Sequence, residues 1–243
     1  MIPAEKAAII PDKISFTDGV VVPFALEAAF CALSLKEPGI AMPGVATPAL
    51  GLPYPSLHDV PSSGKTLVVY GGSSSVGSMT IQIATTAGIN VIAISGAHNF
   101  DFSKRCGAAR VFDHKDTSLV GNVIKAVRNK GSEFIGIFDA IATPETYAND
   151  IAILGQLDGG HLACVHPPPP ITNLPANVSA GMIFAVNDVV NPVWKDFVTP
   201  ALRSGKLQCL PPPLVVGKGL EHIQFALKKS KAGVSATKLV VEL

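Results

Sequence analysis

Residues 64–95, GKTLVVYGGSSSVGSMTIQIATTAGINVIAIS, constrain the fold more than any other stretch of the chain. An apolar run of strand length meets a cluster of glycines and serines, then a helical pattern, then a second apolar run. Short, almost continuously apolar strands joined by helices build a parallel sheet, because each crossover lays a helix against one face of it. The alternation continues downstream. Residues 66–70, 90–95, 109–114, 134–140 and 160–165 read as strands, and 75–88, 99–108, 118–130 and 144–156 as the helices between them. The expected fold is α/β, a doubly wound parallel sheet of the Rossmann type with right-handed crossovers.

Prolines divide the rest. Pro38, Pro43, Pro48, Pro53, Pro55 and Pro61 rule out regular helix or a central strand over residues 37–64, and HPPPPITNLP and PPP (211–213) punctuate the chain later. The apolar run at 20–35 carries Pro23 and Glu27 and is short for a bilayer span, so it reads as a buried helix. A hydrophobic share of 48% with 15% charged residues fits a compact protein, and a net charge of +1 leaves no footprint for nucleic acid or a membrane surface. Cys31, Cys106, Cys164 and Cys209 are widely spaced and read as buried thiols of a reducing compartment. The N-terminus, MIPAEKAAII, lacks the pattern of a secretion signal, so the default is cytoplasmic.

The glycine-serine turn sits between a strand and a helix, where a dinucleotide fingerprint belongs. Gly71 and Gly72 would let the backbone turn and approach a ligand, Gly77 would let helix and strand pack closely, and Ser73, Ser74 and Ser75 would add hydroxyls beside the free N–H groups of the helix. Aligned on Gly72 and Gly77, the middle glycine of the fingerprint is Ser74, so a plain tight turn remains open. At the end of the second strand stands Ser95, where an NAD site would carry a carboxylate. Without that repulsion, and with His98 and Lys104 nearby, the pattern favours NADPH. Against this, Asn99 reads equally as a helix cap, and Lys104 as a solvated helix residue.

The blocks GKTLVVYGGSSSVG, SGAHNFDFSKRCGAARVFDH and AGVSATKLVVEL resemble the zinc-independent medium-chain dehydrogenase/reductase superfamily, nearest its fungal trans-acting enoyl reductases and ToxD-like members. The resemblance implies that Ser73 to Val76, with Gly72, Ser74 and Ser75, lie on the pyrophosphate. It sets Ser95, His98, Asn99, Lys104 and His114 around the adenosine 2′-phosphate. Ala140, Ile141, Val165 and His166 would pass near the nicotinamide ribose, and Lys238 would return toward the cofactor, although a surface lysine explains it equally. Zinc-dependent relatives place a cysteine just after a proline in the helix before the nucleotide domain; that position here is Phe24, and no metal is expected. A homodimer contact would fall on the edge strand, around residues 181–186.

Relatives open with a GroES-like domain, and Met1 falls where that domain should be finishing. Remnants of it are therefore expected at both ends: residues 1–64 as remnant, linker helix and proline-rich loop, 65–205 as the NADPH-binding domain, and 206–243 as a segment returning to the catalytic domain. The implied activity is hydride transfer from NADPH to an α,β-unsaturated carbonyl or thioester, free or carrier-bound. The alternative is a catalytically silent NADPH-binding or interaction module. No catalytic residue is identified; His161 and His166 are the histidines expected at strand ends facing the cleft.

Overall fold

All five strands expected from the alternation are present in the computed structural model, and a sixth completes their sheet. The structure describes residues 3–34, 39–42, 45–47, 50–168, 170, 174–183 and 188–243. In the proline-rich segment β1 (Gly39–Met42) and β2 (Val45–Thr47) form a small antiparallel ribbon, apart from the main sheet. The main sheet comprises β3 (Lys65–Tyr70), β4 (Asn90–Ser95), β5 (Arg110–Asp113), β6 (Glu133–Asp139), β7 (Gly160–Cys164) and β8 (Val178–Met182). All its pairings are parallel, in the order β5-β4-β3-β6-β7-β8. The chain thus leaves β3 toward one edge and later returns to its other side, which opens a crevice at the carboxyl ends of β3 and β6. β8 is one edge of this sheet; of the contact expected around residues 181–186, positions 184–186 lie outside the described residues.

Helices α1 (Phe16–Gly19) and α2 (Pro23–Ser34) precede the sheet, and α3 (Ser75–Thr86), α4 (Phe100–Arg105), α5 (Leu119–Arg128) and α6 (Pro144–Gln156) cross over between strands. The core forms two clusters, one on each face. On β3, Leu67 and Val69 belong to one cluster and Val68 and Tyr70 to the other, as the two-residue period of a strand requires. The first cluster takes in α2 and α3; the second takes in α5 and α6. Residues 16–34 are long and apolar enough to cross a membrane by length and composition, more so than the run at 20–35 suggested, yet 61% of that window is buried inside the protein. Within α2, Leu26, Ala29 and Phe30 are wholly buried, so this is a core helix.

The C-terminal part departs from the alternation. A π-helical turn (Val193–Val198) leads into α7 (Thr199–Ser204), followed by β9 (Pro213–Lys218), α8 (Ile223–Lys231) and β10 (Lys238–Glu242). β9 and β10 pair in parallel as a separate two-stranded sheet. The four cysteines are thiols, none joined in a disulfide.

One buried group is costly to the fold. Asp150, on α6, is fully buried, and neither carboxyl oxygen has a hydrogen-bond partner among the described residues. Burial pushes its pKa well above the usual carboxylate value, and the nearby Asp139 pushes it the same way. Above about pH 4 an unfolded Asp150 loses its proton while the folded one keeps it, so stability falls as pH rises, by about 1.4 kcal/mol per unit until the folded group also ionises. Asp150→Asn is expected to flatten that slope. Urea midpoints at pH 5 and pH 8 check this; equal slopes in both proteins would show that Asp150 does not carry it.

Candidate functional site

The turn after β3 is built by local sterics. Gly71 has φ +75°, a conformation that a side chain disfavours, and its N–H and that of Gly72 both donate to the Ile94 carbonyl at 2.9 Å, anchoring the turn to the end of β4. A Cβ on Gly72 would stand 2.8 Å from the Ala93 Cβ, so a glycine here makes room for β4. A Cβ on Gly77 would overlap the Gly71 carbonyl oxygen: helix α3 starts directly against the turn. Ser74 is the N-cap, its Oγ accepting from the Gly77 N–H at 3.0 Å. Ser73 and Ser75 flank this cap.

A cleft of about 770 Å³ lies over this turn. Among the sequence-predicted residues, Ser73, Ser74, Ser75, Ser95, His98, Asn99, His114, Ile141 and Lys238 line it, whereas Gly72, Val76, Lys104, Ala140, Val165 and His166 do not. On the β4 side, Asn99 Nδ2 donates to Ser73 Oγ at 3.1 Å and to Ser235 Oγ at 2.8 Å, and His98 Nε2 lies 2.9 Å from the same Ser235 oxygen. Asn99 therefore ties loops together and makes no side-chain cap to α4. Ser95 is buried, its Oγ accepting from Ser103 Oγ at 3.3 Å, and its carbonyl accepts from the His114 N–H at 3.1 Å. Lys104 is exposed, with Nζ 3.8 Å from Asp101 Oδ1, an ion pair that solvent weakens.

On the β6 side, Asp139 is fully buried. Its Oδ1 accepts from the N–H groups of Ile141 (2.8 Å) and Ala142 (2.9 Å), and its Oδ2 accepts from Thr146 Oγ1 (2.6 Å). The first two bonds shape the loop in which Ala142 has φ 58°, and the third ties that loop to α6, whose N-terminus is set by a capping box of Thr143 and Thr146. Ile141 is thereby held over Gly71, where an added Cβ would come within 2.6 Å of its Cγ1. Ala140 and Val165 only continue the ladder, donating to the carbonyls of Tyr70 (3.0 Å) and Asp139 (3.1 Å). The carbonyl of His166 lies 3.3 Å from the Tyr147 hydroxyl, which donates to the Pro167 carbonyl at 2.9 Å. His161 falls at the start of β7, the sheet end opposite the cleft, which corrects its expected orientation.

The third wall comes from the C-terminal segment. Lys238 Nζ donates to Ser75 Oγ at 3.2 Å and sits 5.8 Å from the Phe24 ring centre. The lysine is half-buried, which lowers its pKa and overturns its reading as a surface residue. No carboxylate pairs with it among the described residues. An ammonium without a counter-charge at the start of a 12-residue helix suits an anion, since the helix N-terminus already carries free N–H groups and positive potential. Ser235 and Asp139 were not singled out from sequence. An acid closing an apolar strand was a readable sign for Asp139; nothing local marked Ser235. Among the described residues no three His, Cys, Asp or Glu side chains cluster to hold a metal.

Residues 75–173 match the Zinc-binding dehydrogenase family. The chain is 71% identical to dehydrogenase orsE of Emericella nidulans, over its whole length and 70% of that protein. It is 35% identical to trans-enoyl reductase himH of Aspergillus japonicus, covering 97% of this chain and 65% of the relative. Among solved structures, the CurK enoyl reductase superposes with a TM-score of 0.67 at 15% identity, over 96% of this chain and 64% of that one. CurA of Vibrio vulnificus, solved in complex with NADPH, superposes at 0.56 with 23% identity, over 75% and 58%. The chain thus spans between about 60% and 70% of the length of these proteins.

Proposed function

Because the chain belongs to the medium-chain dehydrogenase/reductase superfamily, we propose that it is an NADPH-dependent reductase of α,β-unsaturated carbonyls or thioesters. The observation that carries this reading is the anion site: Ser75 and Lys238 converge on the start of α3 at the sheet's switch point. The cleft fits a dinucleotide on geometric grounds. Its turn excludes side chains at Gly71 and Gly77, and its volume lies within the range of small-molecule sites, about 300–1,000 Å³.

In this reading Ser73, Ser75 and the N–H groups of α3 hold the pyrophosphate, with Lys238 supplying the charge. His98, Asn99 and His114 line the adenosine end, and Lys104, loosely paired at the rim, swings onto the 2′-phosphate. Ser95 contributes by carrying no charge: a carboxylate there would repel that phosphate. Asp139 holds Ile141 against the nicotinamide half. When bound, the dinucleotide supplies the hydride. That hydride would go to the β-carbon as the π pair moves to the carbonyl oxygen, and the α-carbon would take its proton from water or from another donor. The protein's part is to align the reactants and exclude solvent. Relatives named as enoyl reductases support the substrate class.

Titration with NADPH and NADH, followed by reduced-nicotinamide fluorescence, tests the reading. Lys238→Ala is expected to weaken both cofactors about tenfold, ~1.4 kcal/mol. Lys104→Ala is expected to weaken NADPH alone. Absence of saturable binding by either cofactor would refute the proposal.

A further inference from the structure

Helix α8 turns one face to the dinucleotide cleft. Ile223, Ala226, Leu227 and Ser230 line it, at the i, i+3, i+4 and i+7 spacing of a single helical face. The first three are apolar; Ser230 ends the row with a hydroxyl, just before the helix stops at Lys231. Every other serine or threonine lining the cleft is held in a hydrogen bond. Ser230 is exposed, and its Oγ has no partner among the described residues. Its neighbours in the chain are cations. Lys228 and Lys229 precede it and Lys231 follows, all exposed and none in an ion pair among the described residues. Lysines suit the last turn of any helix, whose free carbonyls carry negative potential. That preference does not call for a free hydroxyl among them on the wall of a cleft that suits an anion.

Cationic flanks are the charge pattern that a kinase with an acidic substrate groove selects. We infer that Ser230 is a phosphorylation site for a serine kinase of this kind, and that its modification closes the cleft to the dinucleotide. The inference rests on the reductase reading above and adds a regulation of its cofactor site. ATP is the co-substrate. The Ser230 oxygen attacks its γ-phosphorus, the bond from that phosphorus to the β–γ bridging oxygen breaks, ADP leaves, and the hydroxyl proton passes to the kinase's base. No residue of α8 is buried, so its last turn can fray into the extended form that a kinase grips. The product carries a charge of about −1.5 to −2. It stands in the cleft where Lys238 and Ser75 meet, takes up the positive potential there, and repels the phosphates of an arriving cofactor.

The test incubates the full chain with magnesium ATP and the catalytic domain of a serine kinase that selects basic flanks. Peptide mass spectrometry reads modification of Ser230, and isothermal titration then reads NADPH affinity at low and at high salt. The modified chain is expected to bind NADPH about tenfold more weakly at low salt, and the gap should narrow as salt screens the added charge. Ser230→Ala, treated in the same way, should keep the affinity of the untreated chain. A kinase directed to acidic flanks is expected to leave Ser230 unmodified. No phosphoryl group on Ser230, or a modified chain with unchanged NADPH affinity, would overturn the inference alone. Equal modification by the acid-directed kinase would remove the role given to the lysines, and the inference with it. Failure of the untreated chain to bind NADPH would instead sink the reductase reading, leaving the modification no cofactor site to close.

Discussion

Gly77→Ala is expected to abolish dinucleotide binding, weakening it at least a hundredfold (about 2.7 kcal/mol), with a loss of stability of about 3 kcal/mol. The added methyl group would overlap the Gly71 carbonyl oxygen, a backbone atom that cannot swing aside. Gly71 is fixed in turn by its N–H bond to Ile94 and by its positive φ, so the turn and the first turn of α3 must separate. That moves Ser73 and Ser75 together, and the anion site is lost as a unit. Isothermal titration with NADPH and urea denaturation of the same variant measure the two losses. Gly121→Ala is the control: it lies in α5 with open space where the Cβ would go, so it should leave NADPH affinity unchanged and raise stability slightly, by about 0.5–1 kcal/mol. Normal NADPH affinity in Gly77→Ala would show that the turn tolerates a looser contact with the helix than its geometry indicates.

Asp139→Ala is expected to be the most destabilising change outside the hydrophobic core, at about 3–5 kcal/mol. It removes one acceptor group from three donors and strands the N–H groups of Ile141 and Ala142 beneath a closed loop. Asp139→Asn should cost markedly less, because its carbonyl oxygen can still accept from the two backbone groups. Urea denaturation of the two variants measures the difference; equal losses for alanine and asparagine would show that the carboxylate's charge, not its acceptance from the two backbone groups, carries the stability. Asp150 adds a second comparison. Removing Asp139 takes away one of the influences that hold Asp150 protonated, so Asp150→Asn should stabilise the Asp139→Ala variant by less than it stabilises the parent protein near neutral pH.

The readable part of the fold was the part in which local pattern and tertiary environment agree. β3 and β4 are apolar on both faces because they are central strands, and their sequences say so residue by residue. β8 is foreseen only as an edge strand somewhat further on, around residues 181–186, because VSAGM has neither alternation nor a continuous apolar run to fix its place; a position on the edge demands less of it. β9 begins on a proline, tolerable only in a small outlying sheet. At the site, Ser73 and Ser75 follow from strand, turn and helix order. Ser235 does not: it meets His98 and Asn99 across 137 and 136 residues of chain, and no local periodicity encodes such a meeting. Lys104 illustrates the converse. Its place in a recognisable block was plain, but whether its long side chain points into the cleft or out to water is decided by rotamer and by Asp101 beside it.

The two sides of the cleft differ in how firmly they are built. The floor belongs to β3, whose residues serve both core clusters, so it can yield only when the whole domain unfolds. The opposite wall belongs to β9, α8 and β10, none of which contains a fully buried residue. Local opening therefore has one inexpensive direction. The C-terminal segment can lift away, with Ser235 and Lys238 releasing their partners, while the glycine turn stays in place. The cleft works as a fixed bench with a single hinged leaf, and a ligand held by both parts would draw its slow dissociation from the leaf alone.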